Sequence, residues 1–156
     1  MDKEEKRQLV IAGHKKIQLY IYSLQSAELA HEGQIDKSGV PYIFHPIAVS
    51  QSFEIGSKRS TVALLHDTVE DTDMDLAVIQ HYFGKDIAGA VDAITHRKGE
   101  SYMDYLARVK ANPIALDVKF ADIAHNTSEE RLSKLDQKTQ DRLRKKYKKA
   151  LDFLRE

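Results

Sequence analysis

The segment Thr61 to Asp73, TVALLHDTVEDTD, constrains this chain more than any other. Val62 to Leu65 is an unbroken apolar run suited to a helix buried on every side, and it ends abruptly in His66, Asp67, Glu70 and Asp71. Were that helix to continue, His66 would lie one turn from Glu70 and Asp67 one turn from Asp71, gathering an imidazole and three carboxylates at one end of a core element. Unpaired charge is costly to bury, so the cluster calls for a compensating cation or a solvated cleft. A bound metal is the leading explanation.

Composition narrows which metal. There is no cysteine among the 156 residues but there are seven histidines, so disulfides and thiolate sites are excluded. Nitrogen and oxygen ligands remain, which suit Mn, Fe, Zn or Mg. Lysine plus arginine (24) balance aspartate plus glutamate (24), which argues against a chain built to coat nucleic acid. The N-terminal MDKEEKRQLV is charged, and no later run approaches the roughly 20 apolar residues of a membrane span, so a soluble cytoplasmic protein is expected. Few alternating β-branched runs, three prolines and seven glycines predict an all-α fold, and the length predicts a single domain over residues 1–156.

Residues 4 to 31 read as one long helix, or two joined near Gly13, with Ile17, Tyr20, Leu24, Ala27 and His31 on an inward face. His31 on that stripe is read as a hydrogen-bonded core residue rather than a ligand. GQIDKSGVP, Gly33 to Pro41, is a polar loop in which Lys37 and Ser38 suit either a phosphate or an ordinary turn. His45-Pro46 then reads as the cap and first residue of a helix reaching about Phe53. The central helix is expected to begin near Arg59 or Ser60, with Ser60 a candidate cap, and to pack antiparallel to its predecessor.

Leu76 to Phe83 and Asp86 to Thr95 read as scaffold helices, with no role assigned to His81 or His96. In the basic loop HRKGES, Arg97 and Lys98 are expected either to reach a ligand or to stay solvated. Ser101 to Lys110 is the next helix, and Asn112-Pro113 caps another, NPIALDVKFADIAHN. Ile114, Val118, Ala121 and His125 are placed on its inner stripe, with Asp122 at the edge. The final helix, Gln137 to Glu156, docks through Leu143, Tyr147, Ala150, Leu151 and Leu154. Its other face is rich in lysine and arginine, either a solvated surface or one that meets a partner.

Collected, His45, His66, Asp67 and Asp122 come from three helices and supply two imidazoles and two carboxylates, a set suited to a divalent cation. The order H, HD, D resembles the HD-domain phosphohydrolases. AHEGQIDKSGVPYIFHPIAV, ALLHDTVEDTD, FGKDI and VKFADIAHN together resemble, more narrowly, the hydrolase domain of the RelA/SpoT family and the stand-alone small alarmone hydrolases. That resemblance spans about Ala30 to Asn126. It implies that His45, His66, Asp67 and Asp122 are metal ligands, that Mn²⁺ is the cation, and that Glu70 and Asp71 position or deprotonate the attacking water. It further implies that Lys37, Ser38 and Asn126 touch a nucleotide. The implied reaction is removal of the 3′-pyrophosphate of guanosine tetra- or pentaphosphate (ppGpp, pppGpp), the alarmones of the stringent response. The family's separate synthetase domain is not expected in this chain.

Two departures bear on the substrate. Asp36 stands where the family has an arginine that stacks on guanine, and Ile123 to Glu129 replaces a segment usually reading Arg-Leu-His-Asn-Met-Arg-Thr. An aspartate cannot supply cationic stacking. A nucleotidase or phosphodiesterase acting on another phosphorylated substrate is therefore a second expectation. A module that senses a nucleotide without turnover is the third, with Glu70 and Asp71 arguing against it.

Overall fold

The computed structural model describes residues 1 to 156, and every regular element in it is a helix. The chain opens with α1 (Lys3–Ala30), capped by Asp2, whose carboxylate accepts the Glu5 N–H while the Glu5 carboxylate accepts the Asp2 N–H. A loop closed by one antiparallel bridge, Ile35 to Pro41, leads into α2 (Phe44–Ser50). There follow α3 (Lys58–Leu65), the short α4 (Thr68–Asp71), α5 (Leu76–Phe83) and α6 (Lys85–Ile94). The remaining elements are α7 (Tyr102–Ala111), α8 (Pro113–Asn126), the single turn α9 (Glu129–Leu132) and α10 (Gln137–Arg155). The all-α expectation holds.

The centre of the molecule is α3. Val62, Ala63, Leu64 and Leu65 have no exposed surface, and α1, α2, α6 and α8 all pack around this helix. Its second half, apolar on every side, satisfies its surface only inside a core, while Lys58 in the first turn stays exposed. On the far side, α7 and α10 pack against α8 and bury Leu106, Val109, Ala150 and Leu154. His66 and Asp67 follow directly on Leu65, so the best-packed element of the fold fixes where the polar cluster sits.

The continued helix expected through His66 and Asp67 is interrupted. The His66 Nδ1–H donates to the Ala63 carbonyl at 2.7 Å, and the Thr68 hydroxyl donates to the Leu65 carbonyl at 2.8 Å. These side chains take carbonyls that the next helical turn would use, so α3 stops at Leu65 and α4 restarts at Thr68. The acidic residues are thus brought together by a turn rather than stacked along one helix.

Three smaller expectations are also corrected. Ile17 is 52% exposed, because a helix of 28 residues, about 42 Å long, overhangs the short α3 it packs on. Only Ser23 and Ala27 of α1 are fully buried. His45 lies inside the first turn of α2, whose cap position is Ile43, and Ser57 rather than Ser60 caps α3 by accepting the Ser60 N–H. Between these helices Gly56 has φ +72°, and a Cβ there would strike the backbone carbonyl of Lys16 in α1. Only glycine permits so close a crossing in that conformation.

Candidate metal centre and cavity

His45 comes from the first turn of α2, His66 and Asp67 from the turn after α3, and Asp122 from the last third of α8. The fold brings all four together. His45 Nε2 lies 3.0 Å from Asp122 Oδ1 and 3.6 Å from Asp67 Oδ2. His66 Nε2 lies 3.0 Å from Asp67 Oδ2 and 3.6 Å from Asp122 Oδ1. Donor atoms about 2.1 Å from a shared ion, at octahedral or tetrahedral angles, stand roughly 3.0 to 3.4 Å apart. The four separations fall in or next to that range.

Orientation supports the same fit. His66 Nδ1–H is committed to the Ala63 carbonyl, so Nε2 is the atom turned toward the carboxylates. Nε2 is buried and makes no hydrogen bond, although two carboxylates are within 3.6 Å. A neutral imidazole would aim a lone pair at two anions, which is unfavourable unless a cation or a proton lies between them. Burial alone would draw the His66 pKa down, but Asp67 and Asp122 reverse this and hold it well above the ordinary histidine range. Burial raises Asp67 as well, and His66 outweighs it, taking the carboxyl down to about 2. The cluster is electrostatically built to hold positive charge at its middle.

A supporting layer fixes these groups. The Lys119 ammonium donates to Asp122 Oδ2 at 2.8 Å, and Asn126 Nδ2 donates to Asp122 Oδ1 at 2.7 Å. Burial would raise the Asp122 pKa, and Lys119 with the two histidines instead keeps it well below the carboxylate range. The Tyr42 hydroxyl donates to Asp67 Oδ2 at 2.6 Å. His45 Nδ1 is 2.7 Å from His125 Nδ1. Burial, His45 and Arg131 depress His125 to about 4, so it stays neutral and can accept the His45 Nδ1–H, leaving His45 Nε2 to the centre.

Of this layer, only Asn126 is singled out by the sequence resemblance. Lys119, which is buried, was not anticipated, because lysine is ordinarily a surface residue. Its position three residues before Asp122, on one face of α8, was the available signal. That face is made by Ala115, Val118, Lys119, Asp122 and Ile123, so Asp122 is central rather than at the edge, and Ile114, Ala121 and His125 lie to the side.

The centre opens into a cavity of about 440 Å³. Glu70 and Asp71 are on its wall, and carboxylate oxygens of Asp67, Glu70 and Asp71 lie within 4.8 Å of one another. Glu70 Oε1 accepts the His96 backbone N–H at 2.6 Å, which leaves Oε2 for another partner. Burial, with the Asp67 charge, raises the pKa of both Glu70 and Asp71. His96, given no role from sequence, thus anchors Glu70 through its main chain. Arg97 turns away to pair with Asp92 at 2.8 Å.

Lys37 and Ser38 also line the cavity. Asp36 is engaged in its own loop: Oδ1 accepts the Ser38 N–H, the Ser38 hydroxyl and the Val40 N–H at 2.7 to 3.1 Å. Its other oxygen lies 3.9 Å from Arg131 of α9, which reaches the same cavity. Asp36 therefore shapes the loop and brings in a cation that the sequence reading did not anticipate. His31 is buried, with Nδ1 bonded to Gln34 Oε1 at 2.7 Å, while its Nε2 is buried without a partner, so only half of the hydrogen bonding expected of it is present.

An all-α scaffold that gathers two histidines and two aspartates from three helix ends defines a class of helical histidine–aspartate metal centres. The chain belongs to the HD domain family, whose model matches residues 23–146. Family and cluster together imply a divalent cation. A guanosine-3′,5′-bis(diphosphate) 3′-pyrophosphohydrolase of Borreliella burgdorferi is 34% identical over 138 residues, 79% of this chain and 20% of that protein. The bifunctional (p)ppGpp synthase/hydrolase SpoT of Escherichia coli is 30% identical over 111 residues, 62% of this chain and 16% of the relative. A solved structure described as a metazoan ortholog of SpoT that hydrolyzes ppGpp aligns with a TM-score of 0.75 and 27% identity, over 88% of this chain and 85% of that one. The chain spans a fifth or less of the curated relatives named here. No helix is long and apolar enough to cross a membrane.

Proposed function

We propose that residues 1–156 form a single metal-dependent phosphohydrolase domain that removes the 3′-pyrophosphate of guanosine tetra- or pentaphosphate. His45, His66, Asp67 and Asp122 would hold the cation, taken to be Mn²⁺. The observation that carries this reading is the buried, unpartnered His66 Nε2 behind Asp67 and Asp122, two carboxylates that line a cavity whose walls carry both acids and cations. When bound, a divalent ion supplies positive charge to the phosphate oxygens and lowers the pKa of a coordinated water.

The chain's own groups account for the rest. Glu70, held by the His96 N–H, keeps one oxygen free to orient a water, and its raised pKa suits it to accept that water's proton. Asp71 stands beside it, and burial raises its pKa as well. Lys37 and Ser38 are placed on the wall to meet the nucleotide, and Asn126 can do so while it steadies Asp122. Water would add at the phosphorus attached to the 3′ oxygen as the bond to that oxygen breaks. The 3′ oxygen, the leaving group, would take up a proton to become the free 3′ hydroxyl, and the released pyrophosphate would carry the oxygen of water.

The experiment is release of pyrophosphate from guanosine tetraphosphate by the purified protein with added Mn²⁺, run beside Asp67→Ala. Release by the parent alone is expected. Equal release by the variant would refute the proposed centre. Asp36, in place of a stacking arginine, favours a second reading in which the same centre hydrolyses another phosphorylated nucleotide. A panel of nucleotides differing in base and phosphate position separates the two.

A further inference from the structure

The cations around the cavity are not equivalent. Lys119 is spent on Asp122 at 2.8 Å, and Arg131 faces Asp36. On α10, Arg144 pairs with Glu129 and Lys148 with Asp152. Lys146, like Lys37 and Lys134 on the cavity wall, has no carboxylate partner, and of these three it alone lies over aromatic rings. Its ammonium lies 4.8 Å above the Tyr102 ring and 5.4 Å above the Tyr147 ring, and all three residues line the cavity. The residue is exposed overall, yet desolvation, with Lys119 and Arg142 nearby, lowers its pKa.

Beside it is a second unmet donor. The Tyr102 hydroxyl is buried and without a hydrogen-bond partner. Burial also raises its pKa, so it remains a donor. An ammonium held over two aromatic faces at the cavity, next to an orphaned hydroxyl whose proton is free to donate, presents two donors to a ligand. That arrangement fits an anion with several acceptor oxygens.

We propose that Lys146 and Tyr102 form a subsite for a second phosphate group, the one that follows the phosphate seated at the metal centre. Tyr147 and Tyr102 hold the ammonium in place through their ring faces. The ligand class is a diphosphate, either free or as part of a larger molecule. This rests on the proposed function to the extent that the first phosphate is taken to sit at the centre. The subsite would make the protein prefer diphosphate over single phosphate groups.

The test is calorimetric binding of inorganic pyrophosphate and of inorganic phosphate to the Mn²⁺-loaded protein. Lys146→Gln should weaken pyrophosphate by about 10-fold or more, the loss of one charge-assisted hydrogen bond, and weaken phosphate much less. Tyr102→Phe should weaken pyrophosphate by roughly 3- to 10-fold. Lys146→Arg should restore most of the affinity, and Lys149→Gln, an equal loss of charge on the exposed face of α10, should leave it unchanged. Equal losses for the two anions, or the same affinity in Lys146→Gln as in Lys149→Gln, would overturn the subsite, as would a parent that does not bind pyrophosphate. Pyrophosphate binding through Lys146 without release from guanosine tetraphosphate would keep the subsite and reject the nucleotide. Rapid release with an unchanged KM in Lys146→Gln would do the reverse.

Discussion

Two aspartates on the same cavity behave in opposite ways. Asp36 satisfies its loop: three donors from Ser38 and Val40 fill one of its oxygens, and Arg131 stands by the other. Asp122 is also well bonded, through Lys119 and Asn126, yet it and Asp67 still face His66 Nε2, which points into the cluster without a hydrogen bond to close it. The loop is complete with protein atoms alone. The centre is complete only when positive charge is added. Polar density is therefore no guide to where chemistry sits; what distinguishes the centre is an unsatisfied imidazole nitrogen with two carboxylates within 3.6 Å.

The largest test of that contrast is Asp122→Ala. It removes a proposed ligand and strands the buried Lys119 ammonium, so stability should fall by about 3–5 kcal/mol and metal binding should be lost. Denaturant unfolding with and without Mn²⁺ measures both. Asp122→Ala with unchanged unfolding would break the contrast, since it would make the centre as self-sufficient as the loop.

Protons should compete with metal at the centre and not at the loop. His66 binds its proton more tightly in the folded than in the unfolded chain. In the metal-free protein its contribution is thus fully present below the unfolded value, about 6.5, and lost as pH rises through the higher folded value. Asp67, depressed to about 2, contributes stability that is present above its unfolded value and lost as pH falls toward 2. A cation must displace the His66 proton, so the rise in Tm caused by Mn²⁺ should grow from pH 6 to pH 8. A constant rise across that range would mean His66 is not a ligand.

Tyr42 joins the two regions, since it follows the loop in sequence and its hydroxyl holds Asp67. Tyr42→Phe should cut metal affinity by roughly 10- to 100-fold, as loss of a supporting hydrogen bond does elsewhere, and leave the fold intact. Unaltered affinity in a metal titration would show that Asp67 needs no such support. The smallest effect is expected for Asp36→Ala. Freeing the loop should raise KM by roughly 3- to 10-fold, the scale of one or two partly exposed hydrogen bonds, with kcat changed less. Loss of metal from that variant would erase the distinction between the regions.

Legibility in the sequence follows the same division. His45, His66, Asp67 and Asp122 could be gathered from an apolar run that ended in titratable groups and from an aspartate on a helical face. The all-α class, α5 and the Asn112-Pro113 start of α8 were also readable, because local caps and glycines set them. The break after Leu65 was not, since it depends on His66 and Thr68 side chains competing for main-chain carbonyls. Nor was the overhang of α1, where the apolar spacing is real but no partner reaches Ile17. Lys146 reads as one of several cations on a basic helix face, Lys119 is marked only by its spacing to Asp122, and Arg131 carries no sequence signal of its own. Only packing sets Lys119 against Asp122, Arg131 near Asp36 and Lys146 over two tyrosine rings.

The measurement that bears most directly on the central claim is a Mn²⁺ titration of the metal-free protein, followed by the ion's electron paramagnetic resonance, for the parent and Asp67→Ala. The parent should bind a single tight ion, with a matching rise in Tm, and the variant should stay folded and bind none at the same concentrations. A folded parent that takes up no ion, or a variant that binds as tightly as the parent, would contradict the account.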